Sequence, residues 1–114
     1  MKKVLLMVMA LCLTTSLLNA KDETYYAQET VKKIQFAQVT FRKKLQRKCG
    51  YTVGHWAQQH TLIEWKVIHS TGKFKDEFTK MCPRGADLLQ EKWIEPLYLF
   101  AKEYAQGTGN HPRC

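Results

Sequence analysis

Missing from this sequence are the patterns by which many catalytic sites are recognised. It has no Gly-rich phosphate loop, no G-x-S-x-G turn, no H-E-x-x-H helix and no Cys-x-x-Cys pair. Those absences remove the commonest nucleotide, acyl-transfer, zinc-hydrolase and dithiol chemistries from consideration. Its adjacent carboxylates, Asp76 and Glu77, project in different directions from a short helical segment, so they do not converge on one substrate atom. There is no internal repeat, no low-complexity tract and no interdomain linker. No stretch alternates apolar and polar residues for long enough to form a strand. The expectation is an all-α, non-catalytic protein.

What is present begins with the N-terminus. Met1, Lys2 and Lys3 form a positive start, residues 4–18 are apolar, and Ala20 places a small residue before a polar stretch. This is the pattern of a secretory signal peptide, with cleavage expected after Ala20. The apolar run is about 15 residues, short of the roughly 20 that a spanning helix needs. Cys12 follows Met9, Ala10 and Leu11, a context unlike that of a lipidated cysteine. The remaining 94 residues make one small domain, read as a helical body over 21–107 and a tail over 108–114. Its expected location is the periplasm or the exterior.

Charge is unevenly spread. Without Lys2 and Lys3 there are 16 basic and 10 acidic residues, and residues 21–52 carry eight and three of them. Arg42, Lys43, Lys44, Arg47 and Lys48 put five cations into seven positions. Cations near a helix C-terminus interact favourably with its dipole, by about 0.3–1 kcal/mol each. That accounts for part of the cluster, and the remainder points to docking of an acidic protein or an anionic surface. Nucleic acid is not an expected partner outside the cytoplasm.

Helical periodicity divides the domain into four segments. Val31, Ile34, Ala37, Phe41 and Leu45 recur on one face of a helix over 24–48, with Gly50 as its cap. Phe36 and Val39 fall on the opposite side, and the expectation is that they pack internally between neighbours, the alternative being that they are offered to a partner. Thr61 and Glu64 form a capping box that starts a second helix at Leu62, loaded with Ile63, Trp65, Val67 and Ile68 and ended by Ser70, Thr71 and Gly72. A short turn over 53–59 around Trp56 precedes it. Phe74, Phe78, Met81 and Cys82 share the face of a third helix, which Pro83 ends. Ala86, Leu89, Trp93, Leu97, Phe100 and Tyr104 step by three or four through a fourth, kinked at Pro96 and closed by Gly107.

Beyond the signal region the chain has three cysteines, Cys49, Cys82 and Cys114, and an oxidising compartment favours pairing. Three connectivities are open. Cys49 and Cys82 both end helices beside turn formers, Gly50 and Pro83, and are the expected pair. The alternatives have Cys114 bridging to another chain or to Cys82, and the latter would leave Cys49 as a thiol beside Arg47 and Lys48, whose charge favours a thiolate. Four histidines lack the i, i+4 spacing of a helical zinc site. His55, His60 and His69, with Met81, are weak candidates for metal or haem ligation. His60 reads more simply as a hydrophobic staple onto Trp65 ahead of the Thr61 cap.

The run Lys48-Cys49-Gly50, His60-Thr61-x-x-Glu64-Trp65, Gly72-Lys73 and Cys82-Pro83 resembles a group of small periplasmic bacterial proteins, some of which carry a cytochrome c label. The resemblance implies a periplasmic location and a cysteine pair. The haem-attachment motif Cys-x-x-Cys-His is missing, since Gly50, Tyr51 and Thr52 follow Cys49, and Pro83, Arg84 and Gly85 follow Cys82. The leading expectation is therefore a non-catalytic exported helical protein that binds an anionic or protein partner through a basic first helix and holds no cofactor. The alternatives are a haem- or metal-associated electron-transfer accessory and a thiol redox protein. No motif fixes an oligomeric state.

Overall fold

The computed structural model describes residues 21–111, with side chains from residue 27 onward; the expected signal segment at 1–20 and Cys114 lie outside them. Among the described residues there are six α-helices and no strand, so the fold is all-α. By its contacts the chain divides after Val31, and the packing described below belongs to Lys32–Cys114.

Helix α1, Lys21–Thr40, runs into a π-helical segment, Phe41–Leu45, and then into α2, Gln46–Cys49. The expected uninterrupted helix over 24–48 is thus broken by a wide turn, in which the Gln46 N–H donates to the Phe41 carbonyl five residues back. The reason lies in the spacing of the buried residues. Ala37, Phe41 and Leu45 are four apart and essentially inaccessible to solvent. At 100° per residue, each four-residue step overshoots a full turn by about 40°, and the wide turn takes up that drift so that the stripe stays on the core. Gly50 then caps α2 in the left-handed conformation (φ 82°), its N–H donating to the Gln46 carbonyl at 2.8 Å. That conformation is easily reached only by glycine.

Helix α3, Val53–Ala57, starts at Thr52, whose hydroxyl accepts the His55 N–H at 3.2 Å. Helix α4, Leu62–Ser70, starts at the expected capping box: the Thr61 N–H donates to Glu64 Oε1 at 2.8 Å and the Glu64 N–H to Thr61 Oγ1 at 3.2 Å. Of its bulky apolar residues Trp65 is buried, whereas Ile63 and Val67 are 74% and 54% exposed. Helix α5, Phe74–Met81, buries Phe74 and Phe78 and ends at Cys82, before Pro83.

The expected fourth helix begins later than its apolar steps suggest. Pro83–Leu88 forms a 3-10 helix, Leu89 and Gln90 are extended, and α6 spans Glu91–Glu103. Proline at the first position of the 3-10 segment has no N–H to continue the α5 ladder, and Gly85 instead donates to the Cys82 carbonyl at 3.1 Å. Pro96 lies inside α6 and is buried with Trp93, Leu97, Phe100 and Ala101.

Trp56 occupies the centre of the core. Its ring lies 4.8 Å from Trp65, 5.8 Å from Phe41, 6.0 Å from Phe74 and 6.2 Å from Phe78. Trp65 Nε1 donates to the Ala57 carbonyl at 2.7 Å, while Trp56 Nε1 is buried without a hydrogen-bond partner. Such a vacancy costs about 1–3 kcal/mol, so the aromatic packing around Trp56 has to outweigh it. Helix α6 packs on α3 and α4. The Cys49–Cys82 disulfide, Cα to Cα 4.9 Å, joins α2 to the start of the 3-10 segment.

Residues beyond α6 are tied down as far as His111 rather than hanging as a loose tail. The Gln106 N–H donates to the His60 carbonyl at 2.9 Å. Thr108 Oγ1 donates to the Ala105 carbonyl at 2.9 Å, and Asn110 Nδ2 to the Glu103 carbonyl at 3.1 Å, which satisfies groups at the end of α6. His111 Nδ1 lies 3.1 Å from Gln58 Nε2.

Candidate functional site

The weak ligand candidates do not converge. His60 Nε2 is 2.8 Å from Glu77 Oε1 and His60 Nδ1 is 3.9 Å from Glu64 Oε1. The two carboxylates therefore face opposite edges of the imidazole and cannot share one ion with it. The same ring meets Trp65 edge-on at 5.0 Å, as a staple requires. His69 instead stacks on Tyr98 at 3.8 Å, and Lys102 Nζ lies 4.9 Å from the centre of the Tyr98 ring. His55 sits 5.4 Å from Tyr51, and the Met81 carbonyl accepts the Tyr51 hydroxyl at 2.6 Å. Among the described residues no group of three His, Cys, Asp or Glu side chains is placed to hold a metal ion.

Three ionisable groups are displaced from their ordinary values by these surroundings. The Glu64 carboxyl is held below the usual carboxylate range, first by the backbone N–H of Thr61 and then by its hydroxyl. Burial raises the Tyr51 phenol, and also that of Tyr98.

The basic residues form a coherent surface. Arg42, Lys43 and Lys44 lie in the π-helical segment, Arg47 and Lys48 in α2, and all five are exposed. Among the described residues none of the five has a carboxylate partner. Lys33 and Lys75, by contrast, pair with Glu95 at 3.2 Å and Glu91 at 2.6 Å.

Beside these cations lies a feature that the sequence alone did not reveal. Phe36 and Val39, expected to pack internally, are 46% and 40% exposed. They sit opposite the Ala37, Phe41 and Leu45 stripe that faces the core, and among the described residues they are only partly covered. Together with Trp93 at the start of α6 they line an open groove of about 320 Å³, flanked by Lys43, Lys44 and Lys92. No carboxylate lines this groove. The nearby acids are drawn off, Glu91 by Lys75 and Glu95 by Lys33. Lys33 precedes Phe36 by one turn and Glu95 follows Lys92 by one turn, so the two walls run past each other in opposite directions. The opposed placement of Phe36 and Val39 relative to the core stripe was visible in the sequence; the groove they form with Trp93 was not, because it depends on where α6 begins.

A second hollow, lined by Lys73, Asp76, Glu77, Thr79 and Lys80, lies along one helix, and charges of both signs border it. Among the described residues no helix is long and apolar enough to cross a membrane. No protein-family model, curated protein or solved structure matches the chain.

Proposed function

We propose that this chain is an exported, non-catalytic helical protein that binds an acidic protein partner on the basic face of its first helical region. The observation that carries the reading is the density of exposed cations, Arg42, Lys43, Lys44, Arg47 and Lys48, five within seven positions and without a carboxylate partner among the described residues. Five left unpaired on adjoining turns repel one another, and an acidic partner relieves that repulsion while gaining charge-assisted contacts. Export follows from the charged, apolar and small-residue pattern of residues 1–20.

The test is binding to an acidic polymer such as polyglutamate, measured across a range of salt. Affinity is expected to fall steadily as salt rises, because exposed charges are screened beyond about 8 Å at physiological ionic strength. Replacing all five cations with Gln should weaken binding about tenfold or more at low salt. Unchanged affinity in that variant would mean that the cluster is only a solvated surface.

A further inference from the structure

We infer that the groove between α1 and the start of α6 takes an apolar anchor side chain from an acidic protein segment, so that the partner is chosen by shape as well as by charge. The inference rests on the basic-face reading above and names the feature that gives it selectivity. Phe36 and Val39 form an exposed apolar wall, Trp93 is the largely buried opposite wall, and Lys43, Lys44 and Lys92 stand around them. At about 320 Å³ the hollow is at the small end of ligand cavities, which run to about 1,000 Å³. It is open along its length and so suits one or two side chains of a longer chain.

Charge complementarity fixes the chemistry of the occupant. With three lysines at the groove and no lining carboxylate, a segment that seats an apolar residue there must pass its neighbouring residues close to cations. Asp or Glu at those neighbouring positions gains, and Lys or Arg is rejected. The arrangement is an apolar centre with a polar, charged rim, which is how protein interfaces concentrate affinity in a few anchors. A planar bilayer surface satisfies the lysines but has no protruding group for the recess.

The experiment uses the full chain as exported and two synthetic peptides of equal negative charge. One carries Leu and Phe among its Glu residues, and the other has Ser in their place. Vesicles of phosphatidylglycerol and phosphatidylcholine form a third arm. The anchored peptide is expected to bind about tenfold tighter than the Ser peptide, since burying one large apolar side chain is worth at least that factor. Replacing Phe36 and Val39 with Ser should erase this preference while leaving the salt-sensitive binding of the Ser peptide as it was. Both residues are exposed, so the variant should fold, and an unchanged circular dichroism spectrum would verify it.

A preference that survives in Phe36→Ser/Val39→Ser, or equal binding of both peptides to the unaltered protein, would overturn the groove assignment while leaving the basic face standing. Vesicle binding that depends on Phe36 and exceeds peptide binding would overturn it in favour of a lipid surface. If replacing Arg42, Lys43, Lys44, Arg47 and Lys48 with Gln left the affinity of both peptides unchanged, the underlying charge reading would fail as well.

Discussion

At Gly85 a methyl group would lie 2.6 Å from Cys82 Sγ and 3.4 Å from Cys49 Sγ. The glycine is buried, and the disulfide beneath it is fixed at both ends, so there is little room to yield. Gly85→Ala is expected to cost about 1–3 kcal/mol by overpacking, seen as a lower midpoint in thermal unfolding. Glu64 shows the opposite kind of residue effect. Its carboxyl is held below the usual range by the Thr61 backbone N–H and hydroxyl. Such a group stabilises the fold above its unfolded value, near 4.3, and that stabilisation is lost as pH falls through the lower folded value. Thermal unfolding followed from neutral pH down to about pH 3 should therefore show a smaller acid-induced loss in Glu64→Gln than in the parent. The capping pair was legible in the sequence because its partners are three residues apart. The demand at Gly85 was not, because it comes from a contact with Cys49, far away in the chain.

Among the elements, helices with local start and stop signals were readable and those set by distant packing were not. Thr61 begins α4 and Pro83 follows the end of α5, as expected from adjacent residues alone. The fourth helix was misplaced at its start because Ala86 and Leu89 fall in step with Trp93, although Pro83 turns the intervening chain into a 3-10 segment and an extended link. Phe36 and Val39 left two outcomes open for a similar reason: a helix with apolar residues on two sides either packs between neighbours or presents one side, and the sequence does not record which; both residues are in fact exposed. The cysteine pairing was legible because both residues end helices. The disulfide closes a separation of 33 residues, worth roughly 3–4 kcal/mol through the unfolded chain. Cys82→Ser should lower the unfolding midpoint strongly. Cys114→Ser should leave it nearly unchanged, because Cys49 and Cys82 are already bonded to each other, and non-reducing peptide mapping should recover those two as one species.

For the molecule as a whole, charge and shape are carried by the same stretch of chain. The sequence holds 18 basic and 10 acidic residues, and five of the basic ones fall within seven positions in and just after the wide turn at Phe41–Leu45. That widening also sets the angular phase of everything after it. Removing one residue among Arg42, Lys43 and Lys44 would let a regular helix run straight through, an apparent simplification of local structure. Five residues of wide turn at roughly 80° each cover about the same angle as four of regular helix at about 100° each, so α2 would keep its phase and Cys49 its place beside Cys82. In a Cys114→Ser background, a chain shortened by one residue there is expected to retain its helical circular dichroism and its Cys49–Cys82 bond, and a thiol-labelling reagent that then modified Cys49 or Cys82 would show that the phase had been lost. The wide turn thus absorbs one surplus residue: the helix can give that residue back and keep its register, whereas a residue inserted elsewhere between Ala37 and Cys49 would turn the disulfide out of reach.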